Sequence, residues 1–250
     1  MQIEVDGATL NVEVAGDREA PAVLFWNGGG CTLRMWDLIV ERLGSGYRTV
    51  RFDIRGTGQS SPTADPSQYT LEQYAADAVA ILDTLEIERS HVWSMAWGSR
   101  AALAFASLRP ERVGLVALYD SAIDPPDVPA QREGSREAVR KQEAAGIPRF
   151  ERPAGWQEHA NPDSVRPAMQ AIFKGFDLAA AARGLAMKSL VATGDYDPNL
   201  PSSRDLAAMA PDAELVVMEN VGHGSVLQRP DLATEVFTDF VAANTVELSS

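Results

Sequence analysis

The sequence predicts an α/β protein built on a mostly parallel, doubly wound sheet, with a small helical cap inserted after the sixth strand. Three observations carry this. Short continuous apolar runs such as Ala22–Trp26 and Val113–Tyr119 read as strands buried on both faces. Helix-periodic segments separate them, and that alternation implies parallel strands joined by right-handed crossovers. The pattern breaks once, over residues 121–187, where seven prolines sit among mixed charges. With 45% apolar content, 250 residues suffice to bury one core. The expected organisation is a core of residues 1–121 and 188–250 with a cap of residues 122–187.

In chain order, residues 3–5 and 10–15 alternate apolar with polar around Asp6-Gly7, the signal of a hairpin at the sheet edge. Ala22–Trp26 then runs into Asn27-Gly28-Gly29-Gly30. Lacking Cβ atoms, three glycines let backbone N–H groups point into a cleft and donate to a developing oxyanion; the alternative is a flexible turn before a helix over 35–43. A strand over 47–52 leads into Asp53-Ile54-Arg55-Gly56-Thr57-Gly58-Gln59-Ser60. The helix expected over 71–86 has Thr70 as its cap and Leu71, Ala75, Val79 and Leu82 on one face.

Residues 90–106 (SHVWSMAWGSRAALAFA) organise the rest. An apolar run passes through small residues into Ala/Leu/Phe at helical spacing, the pattern of a strand turning sharply into a helix. Such a turn is crowded and needs small residues two before and two after its apex. Here those are Ser94 and Gly98, and the apex is Ala96. In the nucleophile elbow G-x-S-x-G the apex carries the reactive side chain. This chain has the frame of that elbow with a methyl group at its tip.

The helix over 98–108 ends before Pro110, and Val113–Tyr119 follows as the sixth strand. Residues 121–187 read as a cap with only short helical stretches. Within it Phe150, Trp156, Phe173 and Phe176 are candidates either to line a pocket or to pack the cap onto the body, and His159 reads as an exposed helix residue. The sheet resumes with strands over 189–193 and 214–218 around a helix over 202–209. A last helix over 231–244 carries Leu232, Val236, Phe240 and Ala243 inward, and the polar tail after it is expected to fray.

Composition narrows the function classes. Lys and Arg total 22 against 35 Asp and Glu, a formal charge of −13, which disfavours nucleic acid and anionic membrane surfaces as partners. No apolar run approaches the roughly 20 residues that span a bilayer, and the N-terminus reads as strand rather than signal segment, so a cytoplasmic location is expected. The single Cys31 allows neither an intramolecular disulfide nor a thiolate cluster, and the three histidines lack ligand spacing. No metal or other cofactor is expected. The expected partner is a small molecule, and oligomeric state stays open.

In its order of parts the chain resembles the α/β-hydrolase family from Ala22 to about Val241. The matching segments are Asn27-Gly28-Gly29, where the family has His-Gly; Asp53-x-Arg55-Gly56-x-Gly58-x-Ser60; the elbow from Ser94 to Gly98; Phe176-Asp177-Leu178 leading into a strand; Gly194-x-x-Asp197-Pro198; and Gly222-His223. Size and short cap are most similar to the family's small esterases, enol-lactonases and carbon–carbon bond hydrolases. The resemblance implies Asp197 as the acid that orients an imidazole, with Asp195 and Asp120 as neighbouring alternatives, and His223 as the general base. It implies the backbone N–H groups of Gly29 and Trp97 as the oxyanion hole, with Trp26, Asn27, Trp156 and Phe173 around the substrate.

Ala96 departs from that pattern. Ser94 lies on the strand side and Ser99 a helical step inward, so neither oxygen reaches the apex, and Cys31 has no base beside it. Losing the serine of such a triad costs about 10⁶ in kcat, and an intact oxyanion hole leaves about 10³ to 10⁴ over water. Three readings follow. The parent site carries serine and acts on a small carboxylic ester, lactone or related carbonyl compound, and this copy is disabled. Alternatively alanine is native and His223–Asp197 works alone as a general base, in lyase-like or cofactor-free chemistry. In the third, the chain binds a ligand without chemistry. Ala96-Trp97-Gly98 is also similar to the Asp-Trp-Gly elbow of haloalkane dehalogenases and epoxide hydrolases, which would make the parent residue aspartate; the short cap argues against that variant.

Overall fold

Eight strands form one sheet in the computed structural model, which describes residues 1–245. They are β1 (Gln2–Val5), β2 (Ala8–Ala15), β3 (Ala22–Trp26), β4 (Arg48–Phe52), β5 (Ser90–Met95), β6 (Val113–Tyr119), β7 (Ser189–Gly194) and β8 (Ala213–Met218), in the order β1-β2-β4-β3-β5-β6-β7-β8. The first two pair antiparallel, as does β2 with β4; every other pairing is parallel. The helices are α1 (Asp37–Leu43), α2 (Leu71–Thr84), α3 (Trp97–Leu108), α4 (Val128–Ala144), α5 (Pro162–Met169), α6 (Leu178–Arg183), α7 (Leu200–Met209), α8 (Ser225–Gln228) and α9 (Pro230–Thr245).

Period-two alternation along the strands sorts the core into two layers. On β3, Val23 and Phe25 face Ile39 of α1, Val226 of α8 and Phe237 of α9. Leu24 and Trp26 face the opposite layer, built on α2, α3, α6 and α7. The first layer is organised by aromatic stacking, with Trp93 and Phe237 at 4.1 Å between centroids and 8° between planes. In the second, α3 is buried on all sides through Ala101–Ala102–Leu103–Ala104–Phe105–Ala106, small and strong helix formers that let it lie directly on the sheet.

Several expectations are corrected. The segment expected to hold only short helices contains α4, 17 residues long. Its proline, Pro129, lies in the first turn, where a missing N–H breaks no hydrogen bond, and Asp127 caps it by accepting from Ala130 N at 3.0 Å. Phe176-Asp177-Leu178 leads into α6 rather than a strand, because the Asp177 carboxylate caps that helix at Ala180 N, 2.8 Å away. His159 is not an exposed helix residue. It sits half-buried in irregular chain, where Nδ1 accepts from Gly58 N at 2.8 Å and Nε2 is 3.1 Å from Gly30 O. The polar tail beyond residue 245 lies outside the described residues. Among the described residues, no helix is long and apolar enough to cross a membrane.

The Asp53–Ser60 segment is a brace. The Asp53 carboxylate accepts from Leu33 N at 2.7 Å, Asn11 Nδ2 at 2.9 Å and Gln59 N at 3.0 Å, tying the end of β4 to the chain that follows β3. Gly58 lies against it, where a Cβ would fall 2.1 Å from the carboxylate. Arg55 pairs with Asp77 of α2 through Nη2 at 2.5 Å and Nε at 2.8 Å, both residues fully buried.

Candidate active site

The parallel strands end on one edge of the sheet, and the loops leaving β3, β5, β6, β7 and β8 meet there. At its centre β5 turns into α3 at Ala96, whose φ of 53° and ψ of −112° lie outside the regions an L-residue ordinarily adopts. Backbone strain of this kind costs about 1–3 kcal/mol. It is held in place by Ala96 N donating to Tyr119 O at 2.8 Å and by hydroxyls on either side. Ser94 Oγ donates to Ala117 O at 2.9 Å, and Ser99 Oγ to Tyr119 O at 2.9 Å. Both serines are thus committed to β6 beneath the turn, away from its tip. Gly98 makes the turn possible: a Cβ there would sit 2.4 Å from Asn27 O and 2.5 Å from Trp26 O.

Above Ala96 the Gly28–Gly30 loop approaches α3 so closely that a Cβ on Gly29 would lie 3.2 Å from Trp97 Cβ. The backbone N–H groups of Gly29 and Trp97 find no acceptor among the described residues. Two unpaired donors beside a strained apex can receive a carbonyl oxygen as it gains charge. The indole N–H of Trp97 is already used, donating to Met169 O at 2.9 Å. Only the main-chain donor of Trp97 is therefore available.

On the far side, His223 Nδ1 lies 3.0 Å from Asp197 Oδ2. Asp197 is buried and also accepts from Asn199 N at 2.9 Å and Thr193 Oγ1 at 3.2 Å. With Nδ1–H held by the carboxylate, Nε2 is the nitrogen left to exchange a proton. Burial pulls the His223 pKa down, but the hydrogen bond and charge of Asp197, with the charge of Asp120, outweigh it and leave the group above its ordinary value. Asp120, at the end of β6 with φ 50°, is fully buried. Its Oδ2 accepts from Ser225 N at 2.7 Å, Gly224 N at 3.0 Å and Ser225 Oγ at 3.0 Å, pinning the start of α8 immediately after His223. Burial and the neighbouring Asp197 charge push its carboxyl up to about 7. Asp120, Asp197 and His223 offer ligand atoms within 4.8 Å of one another, a spacing that could hold a cation. The carboxylate lone pairs are largely taken by N–H and O–H donors, with Asp120 Oδ1 buried without a partner among the described residues.

Helix α4 clamps this half of the site. Gly134 packs on the loop bearing the acid, where a Cβ would fall 2.0 Å from Tyr196 O, and Gly222 packs on Ser135, where a Cβ would fall 2.6 Å from its Cα. Ser135 Oγ donates to His223 O at 2.8 Å, Gln142 Nε2 to Asn220 O at 2.7 Å and Gln131 Nε2 to Asn199 Oδ1 at 3.3 Å. Asn199 Nδ2 donates to Asp120 O at 3.0 Å.

Ala96, Trp97, Gly29 and His223 all face one cavity of about 830 Å³, walled as well by Trp156 and Phe173. Asp197 stands behind His223. Trp26 and Asn27 are not in the wall. Trp26 shares its strand face with Leu24 and is wholly buried against Phe52 and Phe105. The Asn27 amide is turned under the loop, donating to Phe52 O at 2.8 Å and accepting from Trp36 Nε1 at 3.0 Å. Phe150 lies under the Arg42 guanidinium and Phe176 packs on the core, so neither lines the cavity. Cys31 reaches the wall, but burial raises its thiol to about 12. Asn199, Ser135, Gln131 and Arg100 at the site were not anticipated. Of these only Arg100 leaves a trace in the sequence, as a charge inside the otherwise apolar run of α3.

The chain is similar to known proteins in sequence and in fold. A family model described as the alpha/beta hydrolase fold matches residues 21–137. The chain is 35% identical over 116 residues to 3-oxoadipate enol-lactonase 1 of Acinetobacter baylyi, a match covering 46% of this chain and 42% of that protein. It is 28% identical to the RutD protein of Caulobacter segnis, named as a carbamate hydrolase, over 95% of this chain and 97% of the other. Among solved structures, the enol-lactonase from Burkholderia xenovorans superposes with a TM-score of 0.79 at 27% identity, covering 97% of this chain and all of that one.

Proposed function

We propose that this chain, which has the α/β-hydrolase fold and hydrolases among its relatives, carries a Ser-His-Asp-type hydrolytic centre for a small carboxylic ester, lactone or related carbonyl compound, disabled in this copy by alanine at position 96. The observation that carries the reading is the His223–Asp197 contact at 3.0 Å, with His223, Ala96 and the unpaired N–H groups of Gly29 and Trp97 facing one cavity. A chain that only bound a ligand would need none of this alignment.

With serine at the apex, its oxygen attacks the carbonyl carbon while His223 Nε2 takes the hydroxyl proton. Asp197 holds the imidazole in the tautomer that leaves Nε2 free and stabilises the charge it gains. Gly29 N and Trp97 N receive the carbonyl oxygen as it becomes an oxyanion. His223 then returns the proton to the leaving group, and water repeats the sequence to release the acid. With Ala96 the first bond has no donor atom on the protein, so hydrolysis is slow. Residues 122–187 act as the cap over this centre, and α4 within them sets the depth of the cavity. The reading takes a small-molecule substrate, no nucleic-acid partner, no cofactor and a cytoplasmic location.

The test is Ala96→Ser, which gains on the order of 10³-fold or more in turnover of a small aryl ester. No gain removes the reading. A second reading has one observation in its favour, that the His223–Asp197 pair is complete without a nucleophile and the imidazole is held above its ordinary pKa. There the pair abstracts a proton from a carbonyl-type or phenolic substrate. His223→Ala in the unaltered background then abolishes any turnover found, and unchanged turnover excludes that reading.

A further inference from the structure

We propose that the cavity selects substrates carrying a free carboxylate on the acyl side, and that Arg100 is the residue that binds it. Six arginines line this one cavity, namely Arg100, Arg132, Arg136, Arg140, Arg149 and Arg152, and no aspartate or glutamate does. In a chain with 35 acidic against 22 basic residues that distribution runs opposite to the composition. Five of the six are exposed, and exposed arginines are ordinary. Arg136 and Arg140 pair with Glu133 and Glu137 along α4, and Arg152 stacks over Trp156 at 4.6 Å.

Arg100 is different. It lies one helical turn after Ala96, is 6% exposed and forms no ion pair among the described residues. Nε donates to Ala122 O at 2.8 Å and one amino nitrogen to Asp124 O. Both acceptors are neutral main-chain carbonyls. Burial lowers its pKa from the ordinary value against the opposing charge of Asp124, and the guanidinium stays charged at neutral pH. Asp124 brings an opposite charge near without forming an ion pair among the described residues, so the buried guanidinium is only partly compensated, which is costly, and Arg100 lines the cavity. The charge is close enough to hold down the His223 pKa, so it lies within electrostatic reach of the reacting centre.

A ligand carboxylate completes the compensation that Asp124 leaves partial. One planar guanidinium fork matches one carboxylate in both geometry and charge. The exposed arginines at the mouth raise the local concentration of such an anion and speed its entry.

The kinetic arm of the test rests on the hydrolytic reading; the binding arm does not. In the unaltered chain, glutarate binds and raises the melting temperature, while dimethyl glutarate at the same concentration does not, and Arg100→Gln weakens glutarate at least tenfold. In the Ala96→Ser background, kcat/KM for 4-nitrophenyl hydrogen glutarate exceeds that for 4-nitrophenyl butyrate by at least tenfold, and Arg100→Gln collapses that ratio. A brace for residues 122–124 alone would lower both esters together and leave the ratio intact. Should Arg100→Gln fail to fold, Arg100→Lys, which keeps the charge but loses the fork, gives an intermediate ratio. Equal binding of glutarate and its diester, or no preference for the charged ester with Arg100 intact, overturns the proposal. Glutarate binding without any gain on Ala96→Ser would leave the carboxylate site standing and remove the hydrolytic reading alone.

Discussion

Gly98→Ala probes the crowding on which the whole edge depends. The added Cβ would lie 2.4 Å from Asn27 O and 2.5 Å from Trp26 O. Ordinary carbon–oxygen contacts begin at about 3.3 Å, so α3 must retreat from the end of β3 by roughly 0.9 Å. Neither obstacle is a side chain that can rotate aside. Overpacking of this kind costs about 1–3 kcal/mol, and two fixed carbonyls place the change at the upper end. Replacing glycine by alanine in a helix returns up to about 1 kcal/mol, for a net loss of about 2 kcal/mol. In a chain of this size that lowers the melting temperature by about 4–8 °C. Gly46→Ala is the control, since nothing lies within 4 Å of its Cβ and its φ is not positive, and it stays within about 0.5 kcal/mol. Thermal and urea unfolding of the two variants measure the difference. In the Ala96→Ser background, Gly98→Ala also lowers kcat on the order of 10²-fold, because the same retreat carries Trp97 N away from the oxyanion position. A Gly98→Ala chain as stable as Gly46→Ala refutes the steric argument.

Two other measurements address buried titratable groups. With the Cys31 thiol raised to about 12 by burial, its thiolate fraction at pH 8 is about 10⁻⁴, against about 10⁻¹ for an ordinary thiol at 9.0. Iodoacetamide therefore modifies the folded chain about 10³-fold more slowly than the chain in urea, and equal rates contradict the burial. Asp120 in the folded state keeps its proton up to about pH 7, while the unfolded carboxyl releases it near 3.8. Between those values the unfolded chain binds fewer protons, so stability falls as pH rises. His223, raised above 6.5, acts in the same direction: its contribution is complete below 6.5 and is lost as pH rises through its folded value. Asp120→Asn removes the carboxyl component and flattens the melting-temperature profile between about pH 4 and 7; an unchanged slope contradicts the assignment.

What the sequence made legible was local. The elbow, the Gly28–Gly30 loop and the stretches around Asp197 and His223 each announce themselves through the small residues that a tight turn requires. Side chains whose role comes from distant partners were not legible. Asp120 acts through Gly224 and Ser225, more than a hundred residues away, and Asn199 through Gln131 of a helix in the proline-rich segment that read as holding only short helical stretches. Trp26 was misplaced because it adjoins the oxyanion loop. Its strand face, shared with Leu24, carries it into the core instead. His159 was misjudged for the converse reason, since the two main-chain groups that hold it belong to loops flanking β3 and β4.

The central claim is that this site is assembled and lacks one oxygen. Treating the Ala96→Ser chain with a fluorophosphonate and locating the adduct by mass spectrometry tests it directly. The account predicts one phosphonyl group per chain on residue 96, absent from the unaltered chain and lost again when His223→Ala is added. An Ala96→Ser chain that folds and stays unlabelled would contradict it.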